Sequence, residues 1–108
     1  MKYSKPIIVA EIGCNHQGSL DQAKKLIREA SKCGANYAKF QKRDNKYLLK
    51  NTYNDPHPVP SNSFGNSYGD HREFLEFNIN QHKILFSECI KNNIKYSVSV
   101  WEKNQLKI

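Results

Sequence analysis

Three short segments with alternating side chains are the feature that most constrains the fold of this chain. Residues 7–12, 36–41 and 96–101 each have the pattern of a β-strand, in which successive side chains point to opposite faces of the sheet. One face of the three strands is apolar: Ile8, Ala10, Ile12, Ala38, Phe40, Val98 and Val100. The other face becomes polar toward the carboxyl ends: Ile7, Val9, Glu11, Tyr37, Lys39, Gln41, Ser97, Ser99 and Trp101.

The segments between the strands predict two long helices. Ser19 is the expected N-cap of the first, and Gly34 follows its last turn. Asp70 is the expected N-cap of the second, with Glu73 at capping-box spacing, and Asn92–Asn93 end it. The expected buried positions are Leu20, Ala23, Leu26, Ile27 and Ala30 in the first helix, and Phe74, Phe77, Gln81, Leu85 and Cys89 in the second.

Residues 42–68 separate the second strand from the second helix. Residues 44–50 predict a turn or two of helix, whereas the proline-rich residues 54–61 exclude regular structure. A loop of this length inside a compact domain is functional or disordered.

The order strand, helix, strand, helix, strand is typical of a parallel α/β sheet. A doubly wound sheet needs apolar residues on both faces, whereas a β/α barrel carries functional groups inside, where its strands end. We therefore predict that residues 1–108 form part of a (β/α)8 TIM barrel, roughly its first three strands and two helices. A complete barrel takes about 250 residues, so we expect the isolated chain, with its open sheet edges, to be marginally stable or to aggregate.

The composition indicates which class of partner and which cellular compartment to expect. The net charge is +7, but fourteen of the seventeen basic residues are Lys and they are scattered along the chain. A nucleic-acid surface usually clusters its basic residues and favours Arg, so we expect no nucleic-acid partner. No apolar run is long enough for a membrane span or a signal peptide, which predicts a cytoplasmic protein with no membrane contact.

The three cysteines carry little functional signal. Cys14, Cys33 and Cys89 lack a C-x-x-C pair, so a disulfide framework is not expected. Cys14 and His16 resemble half of a metal site, but no second pair completes it. Cys33 and Cys89 are expected to be small core residues on helix faces.

Four polar side chains converge at the strand ends: Glu11, Lys39, Gln41 and Ser99. A Lys that points into a barrel needs an anion, so Lys39 predicts a phosphate or carboxylate clamp or an ion pair with Glu11. Glu11 has three possible roles: general base, partner of Lys39, or hydroxyl acceptor. Gln41 can bind a sugar hydroxyl or amide, and Ser99 can donate to a phosphate oxygen or be satisfied within its strand.

The first strand–helix loop, residues 13–18, has a glycine at each end and leads to a helix N-terminus, which favours anions. His16 in this loop is a site residue or a packing residue. Arg72, near the start of the second long helix, could hold an anion or be an exposed charge. His71 beside it has no assigned role.

Several segments are similar to one known family. VAEIGCNHQGS (residues 9–19) resembles the A-E-I-G-x-N-H-x-G-S signature that opens the sialic acid synthase family, and AKFQ (residues 38–41) resembles its second-strand K-x-Q. Residues 68–77 and 97–101 resemble a bacterial branch. The similarity runs in order over almost the whole chain.

The resemblance implies an enzyme that condenses phosphoenolpyruvate with an N-acetylated hexosamine such as N-acetylmannosamine, and releases phosphate. It implies that Lys39 and Ser99 bind phosphoenolpyruvate, that Gln41 and Asn66 contact the sugar, and that Glu11 is a catalytic or orienting carboxylate. A divalent metal, Mn or Mg, is expected as Lewis acid. Its histidine ligands are expected in later strands, so His16, His57, His71 and His82 are not assigned to it. The full-length enzyme is expected to be a homodimer.

Other functions stay open at this point. The chain could be a module that binds a phosphorylated ligand without catalysis, a nucleic-acid-binding fragment, or an inactive relic of the synthase. The sugar could also be the precursor of a different nonulosonate, of the legionaminic or pseudaminic kind.

Overall fold

A computed structural model describes residues 2–103 of the chain and has the predicted α/β alternation. The strands are β1 (Val9–Glu11), β2 (Tyr37–Lys42) and β3 (Lys95–Val100). The helices are α1 (Leu20–Lys32), α2 (Asn45–Leu48), α3 (Tyr68–Leu75) and α4 (Ile79–Lys91), with a 3-10 turn at Pro60–Asn62. The strands form one parallel sheet in the order β1-β2-β3, which is the arrangement expected of a partial TIM barrel.

One face of the sheet is covered by helices and the other is not. Ala38 and Phe40 in β2 are fully buried, whereas Tyr37, Lys39 and Gln41 on the opposite face are only partly buried. The core under α1 and α4 consists of Ile12, Ala23, Ile27, Ala38, Phe40, Phe77, Leu85, Cys89 and Ile94. The predicted division into an apolar and a polar face is therefore confirmed in β2, whereas Ile8, which was predicted on the apolar face, is exposed.

Helix α1 follows the sequence prediction closely at its start. The Ser19 hydroxyl accepts a hydrogen bond from the Gln22 amide, and Ala23 and Ile27 are buried. Gly34 follows the helix with a φ of +86°, a conformation that favours glycine. The prediction that Cys33 is a core residue was wrong, because Cys33 is the C-cap and is exposed.

The second long helix was predicted as one element and is in fact two. Ser67, not Asp70, caps α3, and its hydroxyl accepts from the Asp70 amide. The chain leaves the helix at Glu76, and Asn78 starts α4 with a capping box to Gln81. The capping box predicted for Asp70 and Glu73 is therefore absent, although the Asn78-x-x-Gln81 signal was present in the sequence.

A buried ion pair lies at the break between α3 and α4. The Lys42 ammonium lies 2.9 Å from the Glu76 carboxylate, which also accepts from the Arg43 amide. Both side chains are largely buried, and burial raises the pKa of Glu76 while the Lys42 charge opposes that shift. Glu76 takes an extended conformation, with ψ of 136°, and its carboxylate meets the end of β2.

The bounds of β1 and β3 differ from those predicted from the sequence. Strand β1 is three residues long, and Ile7 and Ile8 before it are exposed. Trp101 lies just past β3, although its amide still donates to the Lys42 carbonyl.

The radius of gyration is 15.6 Å, against about 13 Å for a compact domain of this length. Within residues 2–103, no helix is long and apolar enough to cross a membrane.

The capping box at α4 yields a test of the two-helix arrangement. Asn78→Ala removes the side chain that satisfies the Gln81 amide, so the free energy of unfolding should fall by about 1 kcal/mol. Asn80→Ala, two residues later and exposed, is the matched control and should change it far less. Urea unfolding followed by circular dichroism measures both, and equal losses would contradict the assigned cap.

Two buried histidines predict how stability changes with pH. Burial is the main cause that lowers the pKa of His16 and of His82 to about 4, from about 6.5 in an unfolded chain. Between these values only the unfolded chain binds the protons, so stability is full above about pH 6.5 and falls toward pH 4. Each histidine adds a slope approaching about 1.4 kcal/mol per pH unit in this window.

The slope of the unfolding free energy against pH distinguishes the titration of a buried histidine from a general loss of packing. His82→Gln should lower the slope of unfolding free energy against pH by about one proton. Tyr96→Phe removes the hydroxyl that lies 2.7 Å from His82 Nδ1 but keeps the buried imidazole, so its slope should match that of the unmodified protein. Unfolding curves at several pH values measure this, and an unchanged slope in His82→Gln would show that the histidine titrates equally in both states.

Candidate functional site

The predicted site residues of the strands lie side by side on the uncovered face. In the sheet register Glu11 pairs with Lys39 and Lys39 with Ser97, while Gln41 pairs with Ser99 one row closer to the carboxyl end. The structure thus brings Glu11, Lys39, Gln41 and Ser99 to one edge of the sheet, as expected for parallel strands.

Lys39 and Glu11 form an ion pair, with 3.3 Å between Nζ and Oε2. Their side chains are 36% and 47% exposed, so water screens the pair and its net stabilisation is about 0–1 kcal/mol. A ligand anion can therefore compete for the Lys39 ammonium at little cost. The ion pair and the anion clamp predicted from the sequence are compatible.

Gln41 is held by an arginine that the sequence analysis did not select. Arg43 donates from Nη2 to Gln41 Oε1 at 2.9 Å, and its guanidinium carbon lies 3.8 Å from the centre of the Trp101 ring. Because the Gln41 oxygen is occupied, the remaining hydrogen-bonding capacity of Gln41 lies largely in its amide NH2, which can donate to a ligand oxygen. Side chains alternate along a strand, so Arg43 lies on the same face as Lys39 and Gln41. Extending the alternation by two residues would have predicted this residue.

Arg72 brings a second guanidinium to the same region. Its Nη2 lies 3.4 Å from the sulfur of Cys14 in the first loop. Burial lowers the pKa of Arg43, and the charge of Arg72 lowers it further. Arg72 is partly buried, so the interpretation of Arg72 as an exposed charge at the helix start is not supported.

His16 occupies the covered side of the first loop. Its ring packs against Phe77 at a tilt of 30°, with 4.2 Å between the ring centroids, and its Nδ1 accepts a hydrogen bond from the Gly18 amide. Gly18 has a φ of +77°, and a Cβ there would lie 2.3 Å from the Phe74 carbonyl oxygen. Of the two interpretations of His16, this geometry favours a neutral packing residue that shapes the loop.

Asn66 is exposed in the long loop, directly before the cap of α3. Within residues 2–103 its side chain forms no hydrogen bond to the strand residues. His71 nearby is buried, stacks with Phe64 and accepts the Phe64 amide at Nδ1. His71 therefore orders the loop that carries Asn66.

The described residues do not fit a metal centre. Residues 2–103 contain no group of three or more His, Cys, Asp or Glu side chains arranged to hold a metal ion. All four histidines use Nδ1 within the chain: His16, His57 and His71 accept backbone amides, and His82 pairs with Tyr96. We therefore assign no chemical step to a metal.

Comparison with known proteins identifies the relatives of this arrangement. The model of the NeuB family matches residues 26–108. The chain is 37% identical over 99 residues to N-acetylneuraminate-9-phosphate synthase of Drosophila melanogaster, covering 92% of this chain and 27% of that protein. It is 33% identical over 93 residues to N,N'-diacetyllegionaminic acid synthase of Campylobacter jejuni, covering 85% and 28%.

A solved structure has the same fold. The N-acetylneuraminic acid (sialic acid) synthetase of Leptospira borgpetersenii, crystallised with citrate, superimposes with a TM-score of 0.71 at 26% identity. The match covers 94% of this chain and 32% of that one. The chain thus spans about a quarter of the length of the curated relatives that it matches. On the family match and these similarities, the chain belongs to the NeuB family of sialic acid synthases.

Proposed function

We propose that this chain supplies the phosphoenolpyruvate-binding edge of a nonulosonate synthase, which condenses phosphoenolpyruvate with N-acetylmannosamine or a related N-acetylated hexosamine. The observation that carries the proposal is the convergence of Lys39, Glu11, Gln41 and Ser99 on one uncovered, polar edge of the sheet. Membership of the NeuB family supports the reaction class.

The proposal gives each of the site residues one role. Lys39 exchanges its screened contact with Glu11 for an anionic oxygen of phosphoenolpyruvate, and Ser99 donates to a phosphate oxygen. Glu11 then lies beside the reacting carbons as an orienting or basic carboxylate. Gln41 donates its amide hydrogens to the sugar, since Arg43 occupies its oxygen. Asn66 contacts the sugar from the long loop.

In the proposed reaction, C3 of phosphoenolpyruvate attacks the aldehyde carbon of the open-chain sugar. Water adds at C2, and the carbon–oxygen bond to phosphate breaks to leave a 2-keto acid and inorganic phosphate. The residues described here bind and orient the two substrates.

The divalent Mn or Mg, the homodimer and the cytoplasmic location stay predictions. Which N-acetylated sugar is used also stays a prediction, since relatives of both the neuraminate and the legionaminate kind match.

Removal of the Lys39 ammonium tests the phosphoenolpyruvate clamp. In the natural protein that contains this sequence, Lys39→Ala should lower kcat/KM for phosphoenolpyruvate by about 100-fold, since a charge-assisted contact is lost. Lys95→Ala is the matched control, because Lys95 is a lysine of β3 at the opposite, amino end of the sheet. Phosphate release measures turnover, and near-normal constants for Lys39→Ala would refute the role.

The same assay tests Gln41 separately. Gln41→Ala should raise the KM for the amino sugar by about 10-fold and leave the KM for phosphoenolpyruvate nearly unchanged, since only a sugar hydrogen bond is removed. Gln22→Ala, an exposed glutamine of α1, is the control. Sugar kinetics that do not change would show that Gln41 does not contact the sugar.

Binding without turnover would favour the second candidate, a module that holds a phosphorylated ligand. Isothermal titration with phosphoenolpyruvate, followed by phosphate-release assays with sugar and divalent metal, separates the two functions. Capture of phosphoenolpyruvate with no phosphate release under any of these conditions would replace the synthase proposal by the binding one.

A further inference from the structure

We propose that Trp101 is a positioning residue for the amino sugar, because its indole ring holds Arg43 against Gln41 and thereby turns the NH2 group of Gln41 toward the substrate. The inference rests on the proposed function and adds a specificity-determining residue to it, since the sugar must then present an oxygen acceptor to Gln41. It starts from three side chains in contact, which run from the end of β3 to the end of β2.

The sheet register brings Trp101 beside Arg43. Lys42 pairs with Val100 in the register, and the Trp101 amide donates to the Lys42 carbonyl at 3.0 Å. The pairing thus continues one residue past β3, to Arg43 and Trp101. Side chains of adjacent positions on neighbouring parallel strands point to the same face, and the Arg43 guanidinium carbon lies 3.8 Å from the centre of the indole ring. A guanidinium at this distance is attracted to the negative face of the ring and can stack on it.

Packing in the core does not account for the place of this ring. Trp101 is 51% exposed and is not part of the hydrophobic core. Among the ring contacts described for residues 2–103, Trp101 takes part in one, which is the contact with Arg43. Removal of the ring should therefore cost the fold little, so that an effect on substrate binding can be measured separately from an effect on stability.

The backbone of Arg43 is fixed as well as its side chain. The Glu76 carboxylate accepts from the Arg43 amide at 3.2 Å and is itself held by the Lys42 ammonium. The guanidinium then lies between the indole ring and the Gln41 oxygen, to which it donates at 2.9 Å. Arg43 therefore reaches Gln41 from a defined direction.

This contact determines which end of the Gln41 amide faces a ligand. A guanidinium has only donors, so the amide oxygen and not the NH2 group must face Arg43. Within residues 2–103 the NH2 group of Gln41 donates to no protein group. Without the indole ring, Arg43 loses the surface that holds it in place, and the Gln41 amide can turn its oxygen toward the ligand. The ring thus selects a ligand that offers an oxygen acceptor.

Steady-state kinetics on the natural protein that contains this sequence test the positioning role. Trp101→Leu removes the ring face, so the KM for N-acetylmannosamine should rise by about threefold to fivefold, as expected for loss of an exposed cation–π contact. The kcat and the KM for phosphoenolpyruvate should stay nearly unchanged. Trp101→Tyr keeps an aromatic face and should bring the sugar KM back to within about twofold of the unmodified protein. Phe86→Leu is the matched control, because Phe86 is an aromatic residue of similar exposure on α4.

Coupling between Trp101 and Gln41 distinguishes positioning from a merely structural effect. Gln41→Ala removes the group that Trp101 orients, so Trp101→Leu should add less than about twofold to the sugar KM in that background. Gln41→Glu keeps the shape and the contact to Arg43 but replaces the NH2 group by a second oxygen. It should raise the sugar KM by about 10-fold, as Gln41→Ala does, because the donor is lost.

Three outcomes overturn the proposal. Effects of Trp101→Leu and Gln41→Ala that multiply would show that Trp101 acts on the sugar without Gln41. A sugar KM that is unchanged or lower in Gln41→Glu would show that Gln41 accepts from the sugar, and a Trp101→Tyr variant as poor as Trp101→Leu would exclude the ring face as the cause. Circular dichroism checks each fold, and where Trp101→Leu is unfolded, Trp101→Met fills more of the space without a ring and carries the same expectations.

The proposed function can fail independently. A raised sugar KM in Gln41→Ala with normal sugar kinetics in Trp101→Leu would leave the synthase proposal standing and refute the positioning role. If no variant and no unmodified protein releases phosphate, isothermal titration with N-acetylmannosamine gives the same comparison without turnover. Coupled losses of sugar binding in that titration would support the positioning role while the synthase reaction is refuted.

Discussion

The buried ion pair between Lys42 and Glu76 organises the region around the candidate site. It joins the end of β2 to the segment between α3 and α4, two parts of the chain that lie 34 residues apart. Breaking a buried pair leaves one charge uncompensated, at a cost of about 3–5 kcal/mol. The same carboxylate accepts the Arg43 amide, so it also fixes the backbone of the residue that holds Gln41.

Two lysines of β2 differ in burial, and the difference indicates which of them stabilises the fold and which is available to a ligand. Lys42 points to the helix-covered face and is paired with a largely buried carboxylate, whereas Lys39 points to the uncovered face and shares a water-screened contact with Glu11. The first pair holds the fold together because little water can replace it. The second can be exchanged for a ligand, which is the property that a substrate-binding residue needs.

The polar side chains of the candidate site lie on the face of the sheet that the helices do not cover. Within the part of the chain that the structure describes, α1 and α4 cover one side of the sheet, and Glu11, Lys39, Gln41 and Ser99 remain on the other. Membership of the NeuB family agrees with this architecture, since the strand ends of a β/α barrel carry its functional groups. Arg43 follows Gln41 at the end of β2 and donates to its side-chain oxygen, so it continues the row of polar groups on this face.

The sequence by itself determined the alternation of strands and helices, the two faces of the sheet, the Ser19 cap and the four strand residues of the candidate site. These features follow from alternation and capping between residues close in the chain, and such local patterns can be read without a fold. Tertiary structure alone decided the pairing of Lys42 with Glu76 and the contact of Arg72 with Cys14, 58 residues away. Those contacts depend on which side chains, distant in the sequence, are buried next to one another. The spacing of residues along the chain does not predict this.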